Sequence, residues 1–392
     1  MRRMAWACWM LLLAFLAGCQ PAAPATPPAP AKPGPAATAA PAAAAPTGVA
    51  PSAAQTAPPR PAQAPPAAAA LPPPLSPPVT VHVGALSSIS DSGIYIGMER
   101  GYYRELGLDV QAETIPDPNA ISTAVAANQL EVGGFGVNAN PFQVTARGIG
   151  MKMVADKGSF RPGFGFAGLL ARQDLYDSGQ LRTPADVRGR TVSKLSPCDS
   201  SDPWFERLFA RGGFTRDDVE FALMPFPDVN AALANRAVEV GWQLEPLITL
   251  AVDRGIATEF VTADDIYPNQ QIATIFYSPD FAARTDAAQR FMIGYVRALR
   301  DYNDAFGPRR QGRAEIAQIL AKYTTVKDAA LYDRITPAGL DPDGRLNVQG
   351  VRDDLALFQR LGCVTGELAD VSRVVDESFV NYAVGVLGPY AR

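Results

Sequence analysis

Between Gln20 and Pro78 the chain is almost entirely Ala, Pro, Thr, Ser and Gly, and Lys32 and Arg60 are its only charged residues. A stretch with so few large apolar side chains has little to bury that would offset the entropy of ordering it. Its prolines favour an extended polyproline II conformation that rises about 3.1 Å per residue. Residues 19–78 are therefore expected to form a disordered spacer with a reach on the order of 100 Å. Any fold must be built from Val79 to Arg392, which leaves room for two lobes or one large α/β domain.

What precedes the spacer reads as an address. Arg2 and Arg3 are followed by an apolar run from Trp6 to Leu16. That is the length of a signal-peptide core and short of the roughly 20 residues that cross a bilayer. Leu16-Ala17-Gly18-Cys19 then looks like a bacterial lipobox. It implies a leader at 1–18, a lipid on Cys19, and a folded part tethered at a membrane on its extracytoplasmic side. An uncleaved anchor would leave the folded part on the same side.

Of the chain's 35 basic and 39 acidic residues, Arg2, Arg3, Lys32 and Arg60 precede Val79 and no acid does, so the folded part carries about −8. That balance argues against nucleic acid or an anionic membrane face as partners. His82 is the only histidine, which rules out a His-rich metal site. No metal and no cofactor is expected.

The folded part alternates strands with helices. Val79 to Val83 is β-branched and apolar, like a buried parallel strand. After a Ser/Asp/Gly stretch, Tyr95, Met98, Tyr102 and Leu106 recur at helical spacing, and Gly107 is expected to stop that helix. Asp109 to Ile115 reads as the next strand. Asp117-Pro118 pairs a capping acid with proline at the first helical position. This rhythm predicts a mainly parallel sheet with helices on both faces. Ala127-Asn128-Gln129-Leu130-Glu131-Val132-Gly133 is echoed by Ala234-Asn235-Arg236-Ala237-Val238-Glu239-Val240-Gly241. Two similar half-chains suggest two α/β lobes sharing a cleft at the carboxyl ends of their strands.

The order of several weak motifs resembles the substrate-binding proteins of bacterial ABC importers, in the family that includes sulfonate, taurine and thiamine-pyrimidine binders. The first half carries Ile96-Gly97-Met98-Glu99-Arg100-Gly101-Tyr102-Tyr103 and Ala146-Arg147-Gly148. The second carries Pro184-Ala185-Asp186-Val187-Arg188-Gly189 and Glu245-Pro246, and the end carries Val375-Asp376, Asn381-Tyr382-Ala383 and Leu387-Gly388. The resemblance implies a type II periplasmic-binding-protein fold, with lobe 1 at 79–167 and 276–392 and lobe 2 at 168–275. It also implies a small-molecule ligand, a membrane ABC permease as partner, a monomer, and no catalysis. Cys198 and Cys363 then fall in different lobes, which argues against a disulfide between them.

The ligand contacts are expected on loops at strand ends. Ser87, Ser88, Ser90 and Asp91 follow the first strand, with Tyr95 just beyond. Gly136, Val137 and Asn138 match the family's strand-end contact region. Cys198, Asp199, Ser200 and Ser201 open a helix that starts near Trp204, and Trp242, Gln243 and Glu245 follow the second echo. Asp91, Asp199, Asp202 and Glu245 would disfavour a bare anion and favour a heterocycle or an amine. Trp204, Trp242, Phe135 and Tyr95 could stack on a flat ring.

Enzyme readings find less support. Gly163 to Gly168 fits G-x-G-x-x-G, but Leu169 to Arg172 reads as a strand, so the dinucleotide motif lacks its helix. His82 has no G-x-S-x-G partner, and Cys198 has acidic neighbours that would not activate a thiol. A yeast-type pyrimidine-precursor synthase shares the fold and resembles these binders, yet its cysteine-rich cluster is missing around Cys198. A ligand-sensing lipoprotein is the other alternative.

Overall fold

The computed structural model describes residues 70–366 and 370–391. Cys19, the leader at 1–18 and the spacer as far as residue 69 lie outside those residues. The described chain contains ten strands: β1 Val79–Ala85, β2 Leu108–Thr114, β3 Val132–Gly136, β4 Lys152–Ser159, β5 Ala167–Arg172, β6 Thr191–Lys194, β7 Glu220–Leu223, β8 Val240–Leu244, β9 Ala257–Thr262 and β10 Gln271–Tyr277.

They form two five-stranded sheets of identical plan, β2-β1-β3-β10-β4 and β7-β6-β8-β5-β9. In each, the first three strands run parallel and the fourth runs antiparallel to the third. The echoed segments lead into β3 and β8, which hold the same central place in the two sheets. β10 pairs in the first sheet from Gln271 onward, so residues 271–275 go with that sheet and not with lobe 2. The chain crosses between the sheets after Ser159 and again after Thr262. The two crossings bond each other, Phe160 N–H to Gln270 O at 3.0 Å and Asn269 N–H to Phe160 O at 2.7 Å. The Gly163 to Gly168 run lies in the first crossing and enters β5, not a helix.

Strand alternation gives each sheet two buried faces. In the first, Ile275 and Tyr277 join the core beneath helices Ser92–Glu99, Thr285–Phe306 and Arg313–Tyr323. Phe276 faces the other way, into a core with helices Pro118–Ala126, Ala139–Ala146 and Val348–Arg360. In the second sheet Leu169 packs toward helix Asp202–Gly212. Leu170 packs toward Phe226–Ala234 and Leu247–Asp253. The expected stripe on Thr285–Phe306 is core: Phe291, Tyr295, Leu299 and Tyr302 are all buried. Each such side chain contributes about 1.5–3 kcal/mol of hydrophobic stabilisation.

Local expectations mostly survive, with three corrections. Asp117 does cap Pro118–Ala126, accepting from Asn119 N–H at 2.9 Å. The helix expected to reach Gly107 ends at Glu99, because Gly101 turns the chain at φ 71° and only a short 3-10 turn, Arg104–Leu106, follows. The last residues of the expected spacer are docked: Leu75 N–H bonds Leu106 O at 3.2 Å, and Arg290 holds Pro73 O at 2.9 Å. Gly107 permits that approach, since a Cβ there would lie 2.2 Å from Leu75 N. Finally, Cys198 and Cys363 form a disulfide with Cα atoms 5.9 Å apart. The loop bearing Cys198 reaches out of the second sheet and packs into the first sheet's core beside Cys363. Assignment to different lobes therefore did not keep the two residues apart.

Candidate functional site

The loops at the carboxyl ends of both sheets enclose a cleft of about 530 Å³, its open mouth included. Its apolar walls come from Leu86 and Ile272 on one side, Leu195, Phe226, Trp242 and Leu244 on the other, and Phe166 in the first crossing. Its polar groups are Ser88, Ser90, Asn138, Lys157, Asp199 and Ser200. An outer recess shares Leu86, Ser88, Leu195, Phe226 and Leu244, and adds Ser87, Thr114, Pro116, Pro225, Glu245 and Thr325.

On the first sheet, the loop after β1 is organised around Asp91. Its Oδ2 accepts from Ser88 N–H at 2.8 Å and Ser88 Oγ–H at 3.1 Å. Its Oδ1 lies 2.9 Å from Lys157 Nζ, and both side chains are fully buried. The ammonium also donates to Ser90 Oγ at 2.7 Å. Asp91 is thus the counter-ion of a buried lysine and not a free acceptor for ligand, which corrects its expected role. Ser87 takes a left-handed φ of 57° and bonds Thr114 Oγ1 at 2.6 Å.

On the second sheet, Asp199 accepts from Ser196 N–H at 2.9 Å, Ser201 N–H at 2.8 Å and Ser201 Oγ–H at 2.5 Å. Burial raises its pKa against the opposing pull of Lys194. Lys194 Nζ lies 3.7 Å from Asp199 Oδ1 and 2.7 Å from Asp202 Oδ2, and Arg216 holds Asp202 Oδ1 at 2.5 Å. Ser201 is spent on this network. Ser200 lies at the cleft and against Gly136, where a Cβ would come within 2.6 Å of its hydroxyl. Glycine at 136 lets the second sheet's loop seat on the first.

Other expected contacts act as supports. Asn138 caps Ala139–Ala146 through Asn140 N–H at 3.1 Å and donates to Asn119 Oδ1 at 3.3 Å while lining the cleft. Gln243 is buried and donates to Phe226 O at 2.9 Å and Asn230 Oδ1 at 3.1 Å, so it positions the Phe226 wall. Trp242 faces the cleft, backed at 4.6 Å by Trp204, whose indole N–H bonds Ala263 O at 2.9 Å.

Several residues are withdrawn from the site. Trp204 is fully buried behind Trp242. Tyr95 stacks on Tyr323 at 4.8 Å, and Phe135 stacks on Phe276 at 4.1 Å. Val137 is core, and Cys198 is in the disulfide. Glu245 borders the outer recess, but its carboxylate accepts from Thr249 N–H at 3.0 Å, Thr249 Oγ1 at 2.9 Å and Thr336 N–H at 3.2 Å. Burial raises its pKa. The expected acidic cleft is therefore internally compensated.

Lys157 and the apolar wall residues Leu86, Phe166, Leu195, Phe226 and Ile272 were not foreseen. A lysine inside a strand buried along nearly its whole length, Lys152–Ser159, was the available signal, because such a charge demands a buried partner. His82 stands on the exterior of β1, 3.0 Å from Glu131. Among the described residues, no group of three or more His, Cys, Asp and Glu is placed to hold a metal ion.

A family model described as NMT1/THI5 like matches residues 89–302, more than half of the chain. No curated protein matches. Among solved structures, the periplasmic nitrate-binding protein NrtA from Synechocystis PCC 6803 superposes with a TM-score of 0.66 at 15% identity, over 79% of this chain and 89% of that one. The ligand-binding component of an ABC-type import system from Staphylococcus aureus, with zinc bound, gives 0.64 at 11% identity, over 78% and 99%. The alkanesulfonate-binding protein SsuA from Xanthomonas axonopodis pv. citri, bound to MOPS, gives 0.61 at 17% identity, over 76% and 99%. At such identities the likeness establishes the fold: a type II periplasmic-binding-protein fold of two α/β lobes.

Proposed function

This chain belongs to the NMT1/THI5-like family, and we propose that it is the extracytoplasmic solute-binding lipoprotein of an ABC importer. It captures a small organic molecule between its lobes and delivers it to a membrane permease. The observation that carries this reading is the cleft itself: an apolar-walled space between two sheets of one plan, joined by two bonded crossings. Such lobes close on a ligand by hinge motion.

The cleft's charges bear on the ligand class. Lys157 has Asp91, and Asp199 has Lys194 and three hydrogen-bond donors. A charged ligand would be stripped of water here with no counter-ion waiting. The amine expected from acidic loops therefore loses its basis, and an uncharged ring-bearing molecule fits the walls of Trp242 and Phe226.

A disulfide in the folded part supports an oxidising, exported setting. Among the described residues no helix is long and apolar enough to cross a membrane, and anchoring is assigned to a lipid on Cys19. The tether would keep the binder at high effective concentration near its permease. An enzymatic role is disfavoured, because the one cysteine near the cleft is oxidised and the one histidine faces outward.

Native mass spectrometry of protein purified from its host tests the proposal. The expected result is a stoichiometric, unmodified small molecule that is released on denaturation. A covalent adduct on the folded part of the chain, distinct from the lipid at Cys19, or conversion of the released molecule by fresh protein, would overturn it in favour of an enzyme.

A further inference from the structure

Besides the two crossings, the lobes meet at two further places, on opposite faces of the sheets. On the face carrying Val348–Arg360 and Asp202–Gly212, the Cys198–Cys363 bond joins residues 165 apart in sequence. Beside it, Ala139 N–H donates to Cys198 O at 3.1 Å, and Gln270 donates to Ser200 O at 2.9 Å. On the face carrying Leu247–Asp253 and Arg313–Tyr323, Arg334 holds Asp253 through two bonds of 2.7 and 2.5 Å. There Thr336 N–H donates to Glu245 at 3.2 Å. One face is closed by a covalent bond and the other by contacts that water can replace, since the Arg334 side chain is more than half exposed.

We propose that the cleft opens on one side only, with the Cys198–Cys363 disulfide acting as a third pivot and the Arg334–Asp253 and Glu245–Thr336 contacts as the latch that releases. A hinge motion must keep both crossings and the disulfide at fixed length. With those three connections kept and only replaceable contacts on the Arg334 face, the opening swings the Leu247–Asp253 face away from Arg334. The outer recess lies on that side: Glu245, Pro246, Leu247 and Thr325 border it, and it leads into the main cleft through Leu86, Ser88 and Phe226. Ligand enters there. Breaking the disulfide frees the second face, so the width of opening, and with it ligand release, responds to thiol reductant. This inference rests on the solute-binder reading, because it assigns a direction to that binder's opening.

Two amides report the two faces separately. Ala139 N–H is bonded only across the covalent face, and Thr336 N–H only across the ionic one. Residue-resolved hydrogen exchange on the full-length oxidised protein should show Thr336 exchanging at least tenfold faster than Ala139. Reduction with a phosphine, or the pair Cys198→Ser and Cys363→Ser, should raise Ala139 exchange at least tenfold and leave Thr336 unchanged. Asp253→Asn should accelerate Thr336 alone. Equal rates at the two amides in oxidised protein, or no response of Ala139 to reduction, would overturn one-sided opening and leave the binder intact. Exchange of both amides only as slowly as the strand amides of β10 would mean that the lobes do not part at all, and that would overturn the binder reading with it.

Discussion

The loops after β1 and after β6 occupy the same place in two sheets of identical plan, and both carry buried carboxylates at the start of a helix. They are neutralised differently. Asp91 relies on one cation, Lys157, which arrives from β4 across the sheet and lines the cleft. Asp199 and Asp202 share Lys194, the last residue of the preceding strand, and Asp202 has Arg216 as well. The second loop carries its counter-charge locally and in duplicate. The first depends on a single long-range contact, so its shape is tied to the assembly of the whole first sheet. In both, the charge is cancelled inside the protein and little of it is offered to a ligand.

Removing the lone cation should have the largest effect. Lys157→Met leaves Asp91 buried without a partner, and denaturant titration should show a loss of about 3–5 kcal/mol. Adding Asp91→Asn should restore part of that loss, since no buried charge then remains. A cost under about 1 kcal/mol for Lys157→Met would show that water reaches Asp91 and that the two loops are alike. Lys194→Met should cost less, about 2 kcal/mol, because Arg216 still holds Asp202 and Asp199 keeps its three hydrogen-bond donors. Equal losses for the two lysines would remove the distinction between single and duplicated counter-charge.

The same contrast explains what could be read from residues alone. The strand–helix rhythm was legible because burial repeats with a short period, and the echo before Val132 and Val240 was legible because both segments make the same helix-to-strand turn. Asp117-Pro118 was legible because a cap acts within two residues. Contacts set by tertiary approach left no local trace. Asp91 looks the same in sequence whether it faces ligand or Lys157. Cys363 meets Cys198 only because Val348–Arg360 packs against the first sheet. Leu86, Leu195 and Phe226 line the cleft with the same side chains that fill the core.

A buried carboxyl outside both loops shows what either loop would be without its lysine. Asp354, on Val348–Arg360, is fully buried and meets Tyr267 Oη at 3.3 Å and Gln270 Nε2 at 3.4 Å. Burial pushes its pKa up to about 8 from an ordinary 3.8. The folded chain therefore keeps this proton where the unfolded chain has released it, and stability falls as pH rises from about 4 to about 8. Asp354→Asn should flatten that fall by on the order of 2 kcal/mol between pH 5 and 8. An unchanged pH profile would mean that Asp354 is charged in the fold and compensated in the manner of Asp91.

The smallest effect belongs to Arg216→Ala. Its side chain is one-third exposed, so solvent screens its 2.5 Å contact with Asp202. What it adds beyond charge is contact with the Phe221 ring, 4.9 Å from its guanidinium carbon. With Lys194 in place the loss should be about 1 kcal/mol or less. In a Lys194→Met background the same change strips Asp202 of its last cation, and its cost should rise to about 3 kcal/mol. That gap between the two backgrounds measures the duplication directly. Equal costs in both backgrounds would mean that Lys194 and Arg216 act independently, and the second loop would then be no better insured than the first.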